Sequence, residues 1–425
     1  MNTGDTAWVL ASSALVLLMT PGLAFFYGGM TRSKSVLNMM MMSFGAIGVV
    51  SVLWVLYGFS VAFGEEKSGL WGGFDWAGMK HMTAIETTLN GSVYGIPLLV
   101  FAAFQLMFAV ITVALISGAI ADRAKFGTWL IFAVLWVSIV YFPVAHWVFD
   151  FGNEDGEGAG WLAAKGVLDF AGGTAVHVNA GAAGLALALV LGKRVGWRRD
   201  PMRPHSLPLV MLGAGLLWFG WFGFNAGSAL GVNALAGQAF FTTMVATATA
   251  MLGWMLVELV RDKKATSLGA ASGAVAGLVA ITPACAFVTP VGAVCLGLVA
   301  GVICALAVGL KYRFGFDDSL DVVGVHLVGG AVGALSLGFI SNYSGSEGFF
   351  YGGDSTVLGH QALAVGAVAA FSFTVAFILG KLLDLTIGFR VSEEVEVTGI
   401  DQIEHLETAY EFAGSGGGSH LTKGL

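Results

Sequence analysis

The run from Gly95 to Ala121, GIPLLVFAAFQLMFAVITVALISGAIA, decides the fold class. It contains no Asp, Glu, Lys or Arg, and it exceeds the roughly 20 apolar residues that a helix needs to cross a bilayer. Charge returns at once in Asp122, Arg123 and Lys125, where such a helix would re-enter water. Working outward, ten more stretches of this kind appear, near 6–29, 38–62, 127–149, 171–192, 206–231, 238–260, 266–282, 286–310, 322–341 and 357–388. The stretch at 266–282 is short. The expected fold is an all-α polytopic membrane protein with eleven transmembrane helices in residues 1–388, followed by a tail at 389–425.

Composition agrees. Of 425 residues, 56% are hydrophobic and 11% charged, with a mean hydropathy of +0.81. A soluble domain carries about 25% charged residues. Glycine is abundant at 62 residues and proline scarce at 8, which suits helices packed backbone to backbone in lipid. The net charge of −7 and the lack of a basic run interleaved with aromatics exclude a nucleic-acid partner. The first span has no basic leader, carries Asp5 and runs into Thr20-Pro21-Gly22, unlike a cleaved signal peptide. Cys285, Cys295 and Cys304 lack metal-ligand spacing and read as small core residues.

Charge placement sets the expected orientation. Seventeen Lys and Arg fall on one side of the spans, including Arg32, Lys34, Arg123, Lys125, the cluster Lys193 to Arg203, and Lys423. The other side receives only Lys67, Lys80 and Lys165, among Glu65, Glu66, Asp75, Asp150, Glu154, Asp155 and Glu157. Basic loops stay in the cytoplasm, so the N-terminus is expected outside and the C-terminus inside the cell membrane. The tail ends in the flexible run Gly414–Ser419. Its acidic stretch Glu393–Tyr410 is compatible either with a cover over the inner face or with disorder.

Two segments resemble each other. Val176-His177-x-x-x-Gly181-Ala182-x-Gly184 matches Val325-His326-x-x-x-Gly330-Ala331-x-Gly333 at five of nine positions. They fall in the fifth and tenth spans, which run in opposite directions. An inverted five-plus-five repeat around a central pore follows, with the substrate site near the midplane. His177 and His326 are then the candidate pore residues, because ionisable groups inside spans are costly and mark functional cavities. Counted along a helix, His177 lies about 12 Å beyond Asp169 and His326 about 7.5 Å beyond Asp321. They meet only if both helix starts are recessed. Desolvation disfavours imidazolium, so a meeting pair is neutral and takes a small hydrogen-bond donor. No Cys, Asp or Glu lies near either histidine within its span, so no metal and no cofactor are expected.

The run Asp169-Phe-Ala-Gly-Gly-Thr-Ala-Val-His177-Val-Asn-Ala180 resembles the signature of the ammonium transporter (Amt/Mep/Rh) family. Pro21-Gly-Leu-Ala-Phe-Phe-Tyr-Gly-Gly29, Phe104-Gln-Leu-Met-Phe108, Trp221-Phe-Gly-Phe-Asn-Ala-Gly-Ser228 and Asp321-Val-Val-Gly-Val-His326 fit it as well. The resemblance implies an external ammonium site at Phe108, Trp161, Phe224 and Ser228. It implies a stacked phenyl gate of Phe104 or Phe108 with Phe224, the second matching the motif best, and an acidic residue near the entrance at Asp169. It also implies paired pore histidines at His177 and His326, a homotrimer with one pore per subunit, and regulation by a cytoplasmic PII-type protein. Trp161 and Ser228 resemble the Amt branch rather than the Rh branch. In the tail, Gly399-Ile400-Asp401 is kept, but Leu406 stands in His405-Leu406-Glu407 where glycine is usual. That puts a tight turn there in question.

These residue types suit the cargo. A ring face attracts a cation by roughly 0.5–2 kcal/mol, and a hydroxyl adds an acceptor for an ion with four donors. Carrying the intact ion through hydrocarbon costs on the order of tens of kcal/mol, which rings do not offset; shedding the proton removes most of it. Taken singly, Trp161 reads as an interfacial anchor and Asp169 as a helix cap. A sensor with little flux is the second reading, and a tail of this length holds no kinase or cyclase. A potassium channel lacks its filter motif, and an enzyme lacks a nucleophile–base pair.

Overall fold

The computed structural model describes residues 1–153 and 155–410; Glu154, the Gly414–Ser419 run and Lys423 lie outside the described residues. Eleven helices follow one another: α1 Thr3–Met30, α2 Val36–Phe63, α3 Leu98–Ile120, α4 Phe126–Phe149, α5 Gly173–Leu191, α6 Leu207–Gly227, α7 Ala234–Asp262, α8 Ser267–Ile281, α9 Pro290–Phe314, α10 Val323–Ile340 and α11 Ser355–Thr386. Ten of them, among the described residues, are long and apolar enough to cross a membrane. The remaining expected span, 266–282, falls on α8, a shorter apolar helix. Its 15 residues give roughly 22 Å of helix, short of a hydrocarbon slab of about 30 Å. A short α12, Glu393–Thr398, follows in the tail.

Side-chain caps begin many of these helices. Asn2 accepts from Gly4 and Asp5, Ser206 from Leu209, Asn233 from Ala236, Thr266 from Gly269 and Thr289 from Gly292. Each satisfies amides that have no partner inside the helix. The packing uses small residues as expected. α1 lies along α6 in the most extensive helix contact of the molecule. A Cβ on Gly213 of α6 would stand 2.3 Å from the backbone nitrogen of Phe26, so only glycine allows that approach. Cys285 and Cys304 are buried, but Cys295 is exposed on α9, which corrects its assignment to the core.

The ends of the helix bundle differ. One end carries two small hairpins, Glu66–Lys67 with Trp71–Gly72 and Thr88–Leu89 with Ser92–Val93. The other carries a buried ionic network. Arg194 donates to Asp317 at 2.9 Å and reaches Asp122 at 3.1 Å, while Arg123 donates to Ser319 at 2.5 Å and to the carbonyls of Ala119 and Asp317. Burial alone would raise the Asp317 carboxyl, but Arg194 outweighs it and holds the group below the ordinary 3.8.

The tail is folded onto this end as far as residue 410. Glu396 accepts from the Val195 amide at 2.7 Å and from Arg390 at 2.8 Å. Asp401 accepts from the amides of Leu37 and Asn38, at the start of α2, and Glu404 from that of Phe126, at the start of α4. Helix N-termini favour carboxylates there. Leu406 adopts the left-handed conformation, φ 57° and ψ 31°, with 87% of its surface exposed. The turn that normally calls for glycine therefore forms with leucine.

Candidate functional site

The two histidine helices begin alike. Asp169 accepts hydrogen bonds from the amides of Gly172, Gly173, Thr174 and Ala175, and from the Thr174 hydroxyl. It lies eight positions before His177. Asp318, eight positions before His326, accepts from the amides of Val322 and Val323 at 3.1 and 2.8 Å. Asp321, from which the distance to His326 was counted, pairs instead with Lys311 at 2.6 Å. The internal match thus extends to Asp169 and Asp318. Each histidine then sits in a wide π-helical turn, Gly173–Val178 and Val323–Leu327, a feature found often at functional sites.

The histidines meet. His177 Nδ1 and His326 Nδ1 are 3.3 Å apart, with the ring planes inclined by 23°. The repeat glycines explain the closeness. A Cβ on Gly181 would stand 2.4 Å from the Leu327 nitrogen, and one on Gly330 2.8 Å from the Gly173 carbonyl oxygen. Each half thus lets the other's histidine turn approach its backbone. Both rings are buried, and His177 Nε2 has no hydrogen-bond partner among the described residues. Between two neutral rings one Nδ1 donates and the other accepts. The outer nitrogens of the pair are then one donor and one acceptor.

A narrow cavity of about 10 Å³ runs past the pair, lined by Met19, Leu23, Ile111, Leu115, His177, Leu217, Trp221, Phe224, Val275 and His326. That is about the space of one water-sized molecule. Its walls are aliphatic or aromatic apart from the imidazoles. Trp221 stacks on His177 with centroids 5.3 Å apart and donates its Nε1 proton to Thr282 at 2.8 Å.

Phe224, on the cavity wall, packs against Phe108. Their rings stack with centroids 4.1 Å apart and planes 23° apart, and Phe224 lies 6.2 Å from His177. Phe104 meets Phe108 edge-on at 4.9 Å and is buried behind it. Phe108, of the two, is therefore the partner of Phe224. Ser228 donates to the Phe224 carbonyl at 2.8 Å, leaving its oxygen lone pairs open. Trp161 lies in the loop after α4, edge-on to Trp147 at 5.6 Å, with its Nε1 unpartnered among the described residues.

Two participants were overlooked in the sequence. Trp221 lies one helical turn before Phe224, so the i, i+3 rule places both on the cavity face. Asp318 was marked by its distance from His326, equal to that of Asp169 from His177. The structure describes no group of three or more His, Cys, Asp or Glu placed to hold a metal among the described residues.

Against known proteins, the model of the Ammonium Transporter Family matches residues 7–410. An ammonium transporter of Mycobacterium tuberculosis is 59% identical over 97% of this chain and 91% of its own length. A solved structure described as Sensor Amt Protein superposes with a TM-score of 0.87 at 30% identity, covering 95% of this chain and 98% of that one. Mep2 of Saccharomyces cerevisiae does so with a TM-score of 0.83 at 35% identity, covering 92% and 91%.

Proposed function

This chain belongs to the ammonium transporter family, and from that premise we propose that it recruits ammonium at its acidic end, removes a proton and passes ammonia along the histidine-lined cavity. The contact of His177 Nδ1 with His326 Nδ1 at 3.3 Å carries this reading. Phe108, Phe224, Ser228 and Trp161 form the recruitment site: ring faces attract the cation and the Ser228 oxygen accepts one of its protons. Phe108 on Phe224 is the gate, and the rings must part for each passage. Asp169 positions the His177 helix near the entrance.

Below the gate, an intact ammonium ion would have to shed its hydration against aliphatic walls, at a cost on the order of tens of kcal/mol. Ammonia avoids that cost. It donates to the single free acceptor of the imidazole pair and accepts from its single free donor, and a proton follows by separate transfer between the rings. The protein sits in the cell membrane, N-terminus outside, as a homotrimer with one conduit per subunit. Residues 389–425 form a cytoplasmic regulatory tail on which a PII-type protein docks.

Uptake of labelled methylammonium into proteoliposomes tests the proposal. Saturable uptake in the intact chain, lost with both histidines replaced, supports it; uptake indifferent to both overturns it. A second reading, ammonium sensing with little flux, is favoured by the folded tail bound to the starts of α2 and α4. A pure sensor would take up nothing.

A further inference from the structure

A vestibule of about 550 Å³ opens at the basic end of the molecule, within the size range of small-molecule sites. It is built from the ends of the same helices that line the histidine cavity. Met30 closes α1, whose Met19 and Leu23 line the cavity, and Leu268 opens α8, whose Val275 lines it. Leu268 precedes Val275 by seven residues, roughly 10 Å along the helix. Asp321 precedes His326 by five. The vestibule and the histidine cavity are therefore walled by different stretches of the same helices.

The charge of the vestibule is the reverse of what releasing a cation would call for. Two cations of its wall are already satisfied: Arg194 by Asp122 and Asp317, Lys311 by Asp321. Arg198 and Arg199 are exposed there and make no ion pair among the described residues. Asp200 is the acid beside them. The loop between α5 and α6 carries Lys193, Arg194, Arg198, Arg199 and Arg203 against that one aspartate. Trp197 anchors the loop. Its ring stacks on Tyr312 of α9 at 6.0 Å, with Lys193 Nζ 5.0 Å and the Arg198 guanidinium 5.6 Å from its centre. The aromatic pair thus holds cationic groups at the vestibule rim.

We propose that this vestibule binds a phosphate-bearing anion at Arg198 and Arg199, and that the bound anion caps the inner end of the conduit. Guanidinium forks match phosphate oxygens in pairs, and two unpaired forks beside a roomy concavity fit a diphosphate better than a halide. The phosphate comes either from a soluble metabolite or from an anionic lipid headgroup. The capping half rests on the ammonium reading above; the binding half does not.

The test uses the full chain in nanodiscs of neutral phosphatidylcholine, titrated with pyrophosphate by calorimetry. Saturable binding is expected, weakened about tenfold or more by R198Q/R199Q, since charge-assisted hydrogen bonds are lost, and tightened by D200N. Saturable binding in neutral discs identifies a soluble source. Phosphatidylglycerol retained by the intact chain but not by R198Q/R199Q identifies a headgroup. Neither ligand depending on these arginines overturns the site, and D200N carries the test if the double variant fails to insert. Pyrophosphate trapped on the vestibule side, or phosphatidylglycerol, should then lower methylammonium uptake by the intact chain but not by R198Q/R199Q. Unchanged uptake with the anion bound overturns the cap. No uptake even without anion would instead overturn the ammonium reading, leaving the calorimetry to decide the site.

Discussion

His177 and His326 come from helices in opposite halves of the chain, yet share one hydrogen bond between like atoms, Nδ1 to Nδ1 at 3.3 Å. A bond between like atoms obliges the neutral rings to adopt different tautomers. The pair is chemically asymmetric although the helices that present it match.

A carboxylate in place of either ring replaces this neutral donor–acceptor pair with one charged, acceptor-only partner. His177→Asp or His326→Asp should abolish methylammonium uptake or turn it into ion-selective current, while the variant still inserts. A fall of at least about tenfold corresponds to only about 1.4 kcal/mol in the barrier. Uptake in proteoliposomes with current on a supported bilayer reads both. Unchanged flux and selectivity in both variants would remove the pair from the mechanism.

Asp169→Ala should destabilise the protein more than Asp318→Ala. Asp169 accepts from four amides and a hydroxyl, Asp318 from two amides. Losing a helix cap costs about 1 kcal/mol, and buried donors left without an acceptor cost about 1–3 kcal/mol each. Thermal unfolding in detergent should rank the two, with Asp169→Asn intermediate. The reverse order would contradict the capping role.

Phe108→Ala should raise the water permeability of proteoliposomes, and Phe104→Ala should leave it near that of the intact chain. Phe108 stacks on Phe224, whereas Phe104 only buttresses it edge-on. Stopped-flow light scattering under an osmotic step measures this. Equal effects of the two changes would mean that the stack is not the closure.

Arg194→Met should cost about 3–5 kcal/mol near neutral pH, because it leaves a buried charge without its ion-pair partner, here Asp317, with a side-chain exposure of 0%, while Asp122 keeps Arg32 at 3.3 Å. In the intact protein the Asp317 carboxyl lies below 3.8, so its stabilisation is present above that pH and lost as pH falls through the lowered value. In the variant the Arg194 guanidinium no longer offsets burial, and the Asp317 carboxyl rises. Its deficit should therefore shrink as the pH is lowered from 7 toward 5. Melting temperatures at the two pH values decide; a deficit independent of pH would argue against a burdened carboxylate.

Leu406→Gly should firm the tail by up to about 1 kcal/mol. A left-handed leucine costs roughly 1–2 kcal/mol, the greater freedom of glycine in the unfolded chain returns part of that, and an 87% exposed side chain gives up no packing. Slower amide exchange over 399–407 would register the gain. Faster exchange would show that Leu406 is held by a contact rather than strained.

Much of this was legible along the chain. The helices could be read because lipid requires long apolar runs with charges only at their ends, as in Gly95–Ala121 before Asp122. His177 and His326 could be read because a repeated motif placed two costly groups in apolar helices. Their contact could not: it depends on where two helices start in space, on π-helical turns at both histidines and on close approaches at Gly181 and Gly330. The choice of Phe108 over Phe104, about one helical turn apart, was legible only in the motif match; their spacing left both open, and the fold shows which faces Phe224. The tail was equally hidden, since Glu396, Asp401 and Glu404 find their amides on loops and helices far away in sequence. Hydropathy and spacing are local properties and survive in one dimension; which ring meets which, and which carboxylate caps which helix, is settled by packing.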